Sequence, residues 1–278
     1  MTGPQAIAAQ VLSYVIEGFT RLMRLDDAVY AGHHLLTTSL YDDAHAATAV
    51  DPLPGKAVII RSLNQHHHAD LLKNTATLWP VRVVWIIDDP ACDWLPRRDV
   101  RRDVRRLADS HYSRGHYTTL KPAQLDQVMA LYRRLYITRY SRYNPDYKPE
   151  YVLTLLADER FEILTLERDG EIFAFCAIHC KAGVLSVPML GYNDSLPGAD
   201  TLYRMVMVLP IEVALTRGLG VNLSAGAARF KRHRGAKPYV EYLMIRDDHL
   251  PAWRRFGYRI VGRLLRLLEP QLIKVATQ

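Results

Sequence analysis

VNLSAGAARFKRHRGAKPYVEYLMI, residues 221–245, is the stretch that decides the fold. VNLSAG reads as a short strand, AARFKRHRG as a short helix closed by glycine, and PYVEYLMI as a strand. Upstream, the loop SLPGAD opens one long helix, TLYRMVMVLPIEVALTRGLG, which also ends at glycine. Before that come three strands, FEILTLERD, EIFAFCAIHC and VLSVPMLGYN. Asp169-Gly170 joins the first two as a tight hairpin, and Lys181-Ala182-Gly183 joins the second pair. Further out, PAQLDQVMALYRRLYITRY places Leu125, Val128, Leu131, Leu135 and Tyr136 at helical spacing. A short helix follows at PEYVLTLLAD, with Pro149 suited to its first turn. The resulting order is helix, helix, three antiparallel strands, loop, helix, strand, helix, strand.

That order resembles the GNAT fold of the N-acyltransferases. The resemblance implies an α/β (α+β) architecture, a mixed sheet flanked by helices that splays open between its fourth and fifth strands. Donor and acceptor would approach the gap from opposite sides. Within the opening stretch, FKRHRGAKPYVEY (230–242) is similar to the FK-x-x-x-G signature and following V-E-Y-like strand of the Fem-type aminoacyltransferases. Those GNAT relatives use aminoacyl-tRNA to extend peptidoglycan peptides. Phe230, Lys231 and Gly235 match the signature, and Arg234 stands where the family has an aromatic residue. LSAGA precedes the motif, as in a broader group of GNAT-like bacterial proteins, and brings Ser224 and Gly226 into the donor-binding set. The resemblance covers roughly residues 116–245. Fem-type enzymes are longer and carry two copies of the fold. Residues 1–115 are therefore expected to be a degenerate GNAT-like or accessory half, and 116–278 the acyltransferase domain with a C-terminal amphipathic helix.

The chemistry can be argued from the residues as well. Acyl transfer to an amine passes through a tetrahedral oxyanion, which fixed positive charge or N–H donors stabilise. Lys231 follows an apolar anchor, Phe230, and its flexible stem could deliver an ammonium to a phosphate or to the oxyanion. Arg232, Arg234 and Lys237 add charge suited to a polyphosphate or to the terminal phosphates of tRNA. Tyr192 and Asn193 end the strand facing the expected gap, where a tyrosine could protonate a leaving thiolate or hydroxyl. Glu241 is a candidate base for the acceptor amine, or a buried paired glutamate. The loop with Tyr143, Asn144, Asp146, Tyr147 and Lys148 corresponds to the acceptor-lining segment of GNAT folds. Acetyl-CoA-dependent members carry a Q/R-x-x-G-x-G/A loop for the pyrophosphate. Here that position reads NDSLPGADTLYR, with Gly198 its lone glycine, which points to another donor.

Composition sets the outer bounds. With 49% apolar and 23% charged residues the chain is globular rather than disordered, and its net charge of +7 suits a phosphate-bearing partner. Three cysteines cannot form a disulfide framework in 278 residues, which fits a reducing, cytoplasmic setting. Cys176, His179 and Cys180 fall in an apolar strand, and His66, His67 and His68 cannot converge on one ion from a regular helix. No metal is expected, and no bound cofactor. The donor, aminoacyl-tRNA or acyl-CoA, would be a co-substrate, and the acceptor a small-molecule or peptide amine. AIAAQVLSYVIEGFTRLM (6–23) is interrupted by Glu17 and lacks a basic leader, so it reads as an amphipathic helix rather than a signal peptide. In the first half, KAVIIRS and PVRVVWIID read as strands, and RRDVRRDVRR as a helix whose arginines stack with period four. That helix is either a solvated face or a phosphate-tracking surface. The closing helix WRRFGYRIVGRLLRLLEPQLIKV is basic and amphipathic, which leaves contact with a membrane surface or a dimer interface open. The expected function is amide-bond formation by acyl or aminoacyl transfer. The alternatives are an acyl-CoA-dependent N-acetyltransferase and an inactive GNAT-like module that binds tRNA or an anionic surface.

Overall fold

EIFAFCAIHC shows no polar alternation because both of its faces are covered. In the computed structural model, which describes residues 17–31, 51–73, 75, 77–195 and 198–277, it forms most of strand β6 (Glu171–Lys181). Ala174, Cys176 and Ile178 enter one apolar core, whereas Phe175 and Ala177 enter another on the opposite face. Strand β5 (Phe161–Arg168) alternates in the same way, with Leu164 and Leu166 on one side and Phe161 and Ile163 on the other.

The chain divides into two compact units, and β5 and β6 belong to the one spanning Val83–Tyr239. Its other strands are the second part of β3 (Leu78–Ile87), β4 (Ser113–Tyr117), β7 (Val184–Tyr192) and β8 (Gly220–Asn222). They are ordered β3-β8-β7-β6-β5-β4, antiparallel except for the parallel pair β7 and β8. The first core lies against α2 (Arg98–Ala108), α5 (Ala199–Val206) and α6 (Val208–Arg217). The second lies against α3 (Pro122–Arg133) and α4 (Pro149–Leu156). This is the mixed sheet flanked by helices that the sequence implies. Both hairpins form as expected: Asp169 and Gly170 have φ of 54° and 80°, and Ala182 and Gly183 have 47° and 77°, the left-handed geometry of two-residue turns.

Three elements differ from the sequence reading. Strand β4 (SRGHY) was not foreseen, because it lacks an apolar alternation. The boundary expected at 115/116 falls inside it. The long helix divides at Met207 into α5 and α6. Pro210 has no N–H for the Val206 carbonyl, and the Cys176 thiol approaches that oxygen at 3.7 Å instead. Finally, α3 widens into a π-helix over Arg134–Tyr140. Asp103 is also placed differently from the expected solvated helix face: it is buried and ion-paired with Arg234, far along the chain.

The other unit is described over 17–31, 51–82 (except 74 and 76) and 240–276. Strand β1 (Val29–Tyr30) runs parallel to β2 (Val58–Asn64), which pairs antiparallel with β9 (Lys237–Arg246). Helix α1 (Gln65–Lys73) follows β2, and α8 (Ala252–Thr277) closes the chain. The buried Arg254 of α8 ties this unit together, donating to the carbonyls of Gly55 (2.6 Å) and Met23 (2.7 Å). Of the helix expected over 6–23, residues 17–23 are helical and 6–16 lie outside the described residues. No described helix is long and apolar enough to cross a membrane.

Candidate active site

The site begins where two strands part. Strands β7 and β8 pair only through Val184↔Gly220, Leu185↔Val221 and Ser186↔Asn222. Beyond Ser186, β7 runs on to Tyr192 while β8 stops at Asn222. A cleft of about 470 Å³ occupies the gap. Val187, Pro188, Leu190 and Tyr192 line it from β7, and the loop 223–227 lines it from the other side. This is the splay expected between the fourth and fifth strands of the domain.

The loop is held open by one side chain. Ser224, Gly226 and Ala227 all have positive φ (59°, 76° and 49°), which is unfavourable for the two non-glycine residues. Lys231, on α7 (Ala228–His233), is buried and donates to the carbonyls of Leu223 (2.6 Å), Ser224 (3.0 Å) and Ala225 (2.8 Å). An ammonium has three N–H donors, and three consecutive carbonyls match them. Lys231 therefore lines the cleft with its charge turned onto the backbone.

Aromatic side chains make the remaining walls. Tyr136 and Tyr140 come from the π-helix, whose wider turn carries both to the cleft, and Tyr203 comes from α5. Tyr192 packs on Tyr203 with ring centroids 5.9 Å apart, and Tyr203 on Phe230 at 4.8 Å. Burial pushes the Tyr136 hydroxyl up to about 12 and raises Tyr203 as well, so both remain O–H donors at neutral pH. Asp194 anchors the π-helix through Arg134 and through Arg139 at 3.4 Å.

Several candidates stand elsewhere. Arg234 is buried, ion-paired with Asp103 and stacked 3.7 Å from the Phe230 ring centre; its guanidinium is engaged in bracing α7. Gly235 has φ of 90°, and a Cβ there would lie 2.0 Å from the Asp93 carbonyl oxygen, which accounts for the glycine of the motif. Arg232 and Lys237 are exposed, the latter near Asp88 and Asp93 at 3.5 Å each. Glu241 belongs to the other unit, where it is buried and ion-paired with Arg82 at 2.6 Å, the second of the two roles open to it. Tyr143 is 83% exposed, Asn144 donates to the Tyr136 carbonyl at 2.8 Å, and Tyr147 stacks on Tyr151. The Asn193 side chain accepts from the Ser195 N–H at 3.1 Å. Among the described residues none of these four lines the cleft, which unites Lys231, Tyr192, Ser224 and Gly226 from the sequence-based set.

Beside the cleft, a second cavity of about 510 Å³ is lined by Asp99, Arg102, Arg204, Arg229, Phe230, His233 and Arg234. Arg204 and Arg229 have no carboxylate partner among the described residues, whereas Asp99 engages Arg102 (2.8 Å) and His233 (3.5 Å). The two cavities share α5 and α7, through Tyr203 next to Arg204 and Phe230 next to Lys231.

Residues 96–232 match the family model described as an acetyltransferase (GNAT) domain. Residues 96–232 carry a GNAT domain. Among solved structures, the L-PGS of Bacillus licheniformis is similar over 79% of this chain and 76% of its own, at 16% identity and a TM-score of 0.54. FemX is similar over 69% and 72%, at 10% identity and a TM-score of 0.53. At such identities the likeness shows the fold. No curated protein matches the sequence. The GNAT domain accounts for the splayed strands, and the matched segment contains every cleft residue named above.

Proposed function

We propose that the GNAT domain forms amide bonds, moving an aminoacyl group from aminoacyl-tRNA to the amine of a small molecule or peptide. The observation that carries this reading is the pairing of an aromatic cleft, whose Lys231 ammonium is turned onto loop carbonyls, with an adjoining cavity that holds two arginines without carboxylate partners among the described residues. The ester carbonyl would sit in the β7–β8 gap, where β7, paired with β6 along its other edge, runs on past the end of β8 and could turn a backbone N–H toward the developing oxyanion. The amine attacks the carbonyl carbon, and the C–O bond to the tRNA ribose breaks. A cleft tyrosine, with Tyr192 the first candidate, gives its proton to the leaving oxygen and is reprotonated from the attacking amine. Arg204 and Arg229 would hold donor phosphates, and the exposed Arg98, Arg101 and Arg105 of α2 would extend that surface along a nucleic-acid stem. The donor enters as a co-substrate, and no resident cofactor is required.

A second reading, transfer from acyl-CoA, is favoured by the acetyltransferase description of the matching family model. Incubating the protein with mixed charged tRNA and, separately, with acetyl-CoA separates the two. Deacylation of a charged tRNA with silence toward CoA is expected; CoA consumption with silence toward tRNA would replace the first reading with the second. On either donor, Arg204→Ala and Arg229→Ala should each raise the donor KM by roughly 10-fold with little change in kcat. Unchanged KM in both variants would remove the adjoining cavity from the donor site.

A further inference from the structure

The closing helix, α8, exposes far more apolar surface than a helix packed on its own unit needs. Trp253, Phe256, Leu264, Leu267 and Leu268 are 52% to 74% exposed. At about 100° per residue they fall within one arc of about 120°. The opposite side carries the residues that are buried, Arg254, Tyr258 and Gly262. The exposed residues therefore form a single stripe facing away from the unit's core. Scattered apolar residues on a surface are ordinary, but a continuous stripe of tryptophan, phenylalanine and leucine marks a contact surface.

What covers the stripe is indicated by its border. Arg255, Arg263 and Arg266 all lie on the same flank of the helix, Arg263 bordering the arc and the other two further round from it, and none of the three is ion-paired among the described residues. A second copy of the same helix would bring arginines toward arginines. An anionic lipid surface would instead meet the guanidinium row with phosphates while the stripe sinks to the acyl boundary. Trp253 and Phe256, at the start of the helix, are side chains that settle readily at that depth. We propose that α8 docks this protein on anionic bilayers as an interfacial helix, lying in the membrane plane without crossing it. The docking surface is separate from the residues assigned to acyl transfer, and its test requires no turnover.

The test is co-sedimentation of the full chain with vesicles of phosphatidylglycerol and phosphatidylcholine, and with phosphatidylcholine alone. Binding to the anionic vesicles at low salt is expected, weakening as salt rises and at least ~10-fold weaker on neutral lipid. The exposed double variant Leu264→Glu, Leu267→Glu should keep its melting temperature and bind anionic vesicles at least ~10-fold more weakly. No wild-type binding to anionic vesicles, or equal binding by the double variant, would overturn the proposal. So would a concentration-dependent dimer, dispersed by the same substitutions, in a protein that ignores vesicles.

Discussion

Replacing Lys231 with methionine is expected to lower thermal stability and turnover together. The methylene stem is kept and the three donors are lost, so the carbonyls of Leu223, Ser224 and Ala225 lose the group that gathers them. Leaving buried acceptors unsatisfied costs about 1–3 kcal/mol each, and partial solvation of this loop edge brings the sum to roughly 3 kcal/mol. In a domain of this size that corresponds to a fall in Tm of about 6–12 °C. Turnover should drop by at least ~100-fold, because the loop forms one wall of the cleft and a shift of an ångström there misplaces the reacting groups. Lys231→Arg should not rescue either property, since a planar guanidinium cannot direct three donors to three converging carbonyls. Melting curves decide the matter. An unchanged Tm with lost activity would mean that the ammonium acts on substrate directly, as the sequence alone suggested.

Among the described glycines, Gly235→Ala is expected to be the most damaging replacement by alanine. The backbone there has φ of 90°, and the added Cβ would meet the Asp93 carbonyl oxygen at 2.0 Å and its carbon at 2.8 Å. Backbone, unlike a flexible side chain, cannot swing aside, so the turn that joins α7 to β9 must move. A loss of about 3–5 kcal/mol is expected, seen as a large fall in Tm or in soluble yield. Gly226→Ala provides the contrast. It has a similar φ of 76°, but an added Cβ meets nothing within 4 Å, so only about 1 kcal/mol of conformational cost is expected. Equal effects of the two substitutions on Tm would show that conformation, and not the Asp93 contact, fixes the motif's glycine.

Much of this architecture was legible because it is local. The Asp169-Gly170 hairpin, the doubly buried strand EIFAFCAIHC and the helix before it are written in turn residues and in the spacing of apolar side chains. Elements whose cause lies far along the chain were not. Strand β4 has a polar sequence, SRGHY, and exists because it pairs with the edge of β5. Tyr132, Tyr136 and Tyr140 have ordinary helical spacing, and nothing in it announces that the helix widens over Arg134–Tyr140. Arg234 looked like a phosphate ligand because its partner, Asp103, lies in a different helix among arginines. Lys231 lines the cleft at the splay, but its three donors are spent on the carbonyls of Leu223, Ser224 and Ala225, a target that no spacing in the sequence announces. Tyr203 carried a usable signal, since it sits one turn into the helix that follows the donor-loop position.

The central claim, that transfer takes place in the gap between β7 and β8, is tested most directly by filling the gap. Leu190→Trp introduces an indole into a 470 Å³ cleft from a half-buried position on β7. Single-turnover transfer from a labelled donor, measured beside the melting temperature, should fall by at least ~100-fold while Tm stays within a few degrees of wild type. Undiminished transfer by a folded Leu190→Trp protein would place the reaction somewhere other than this cleft.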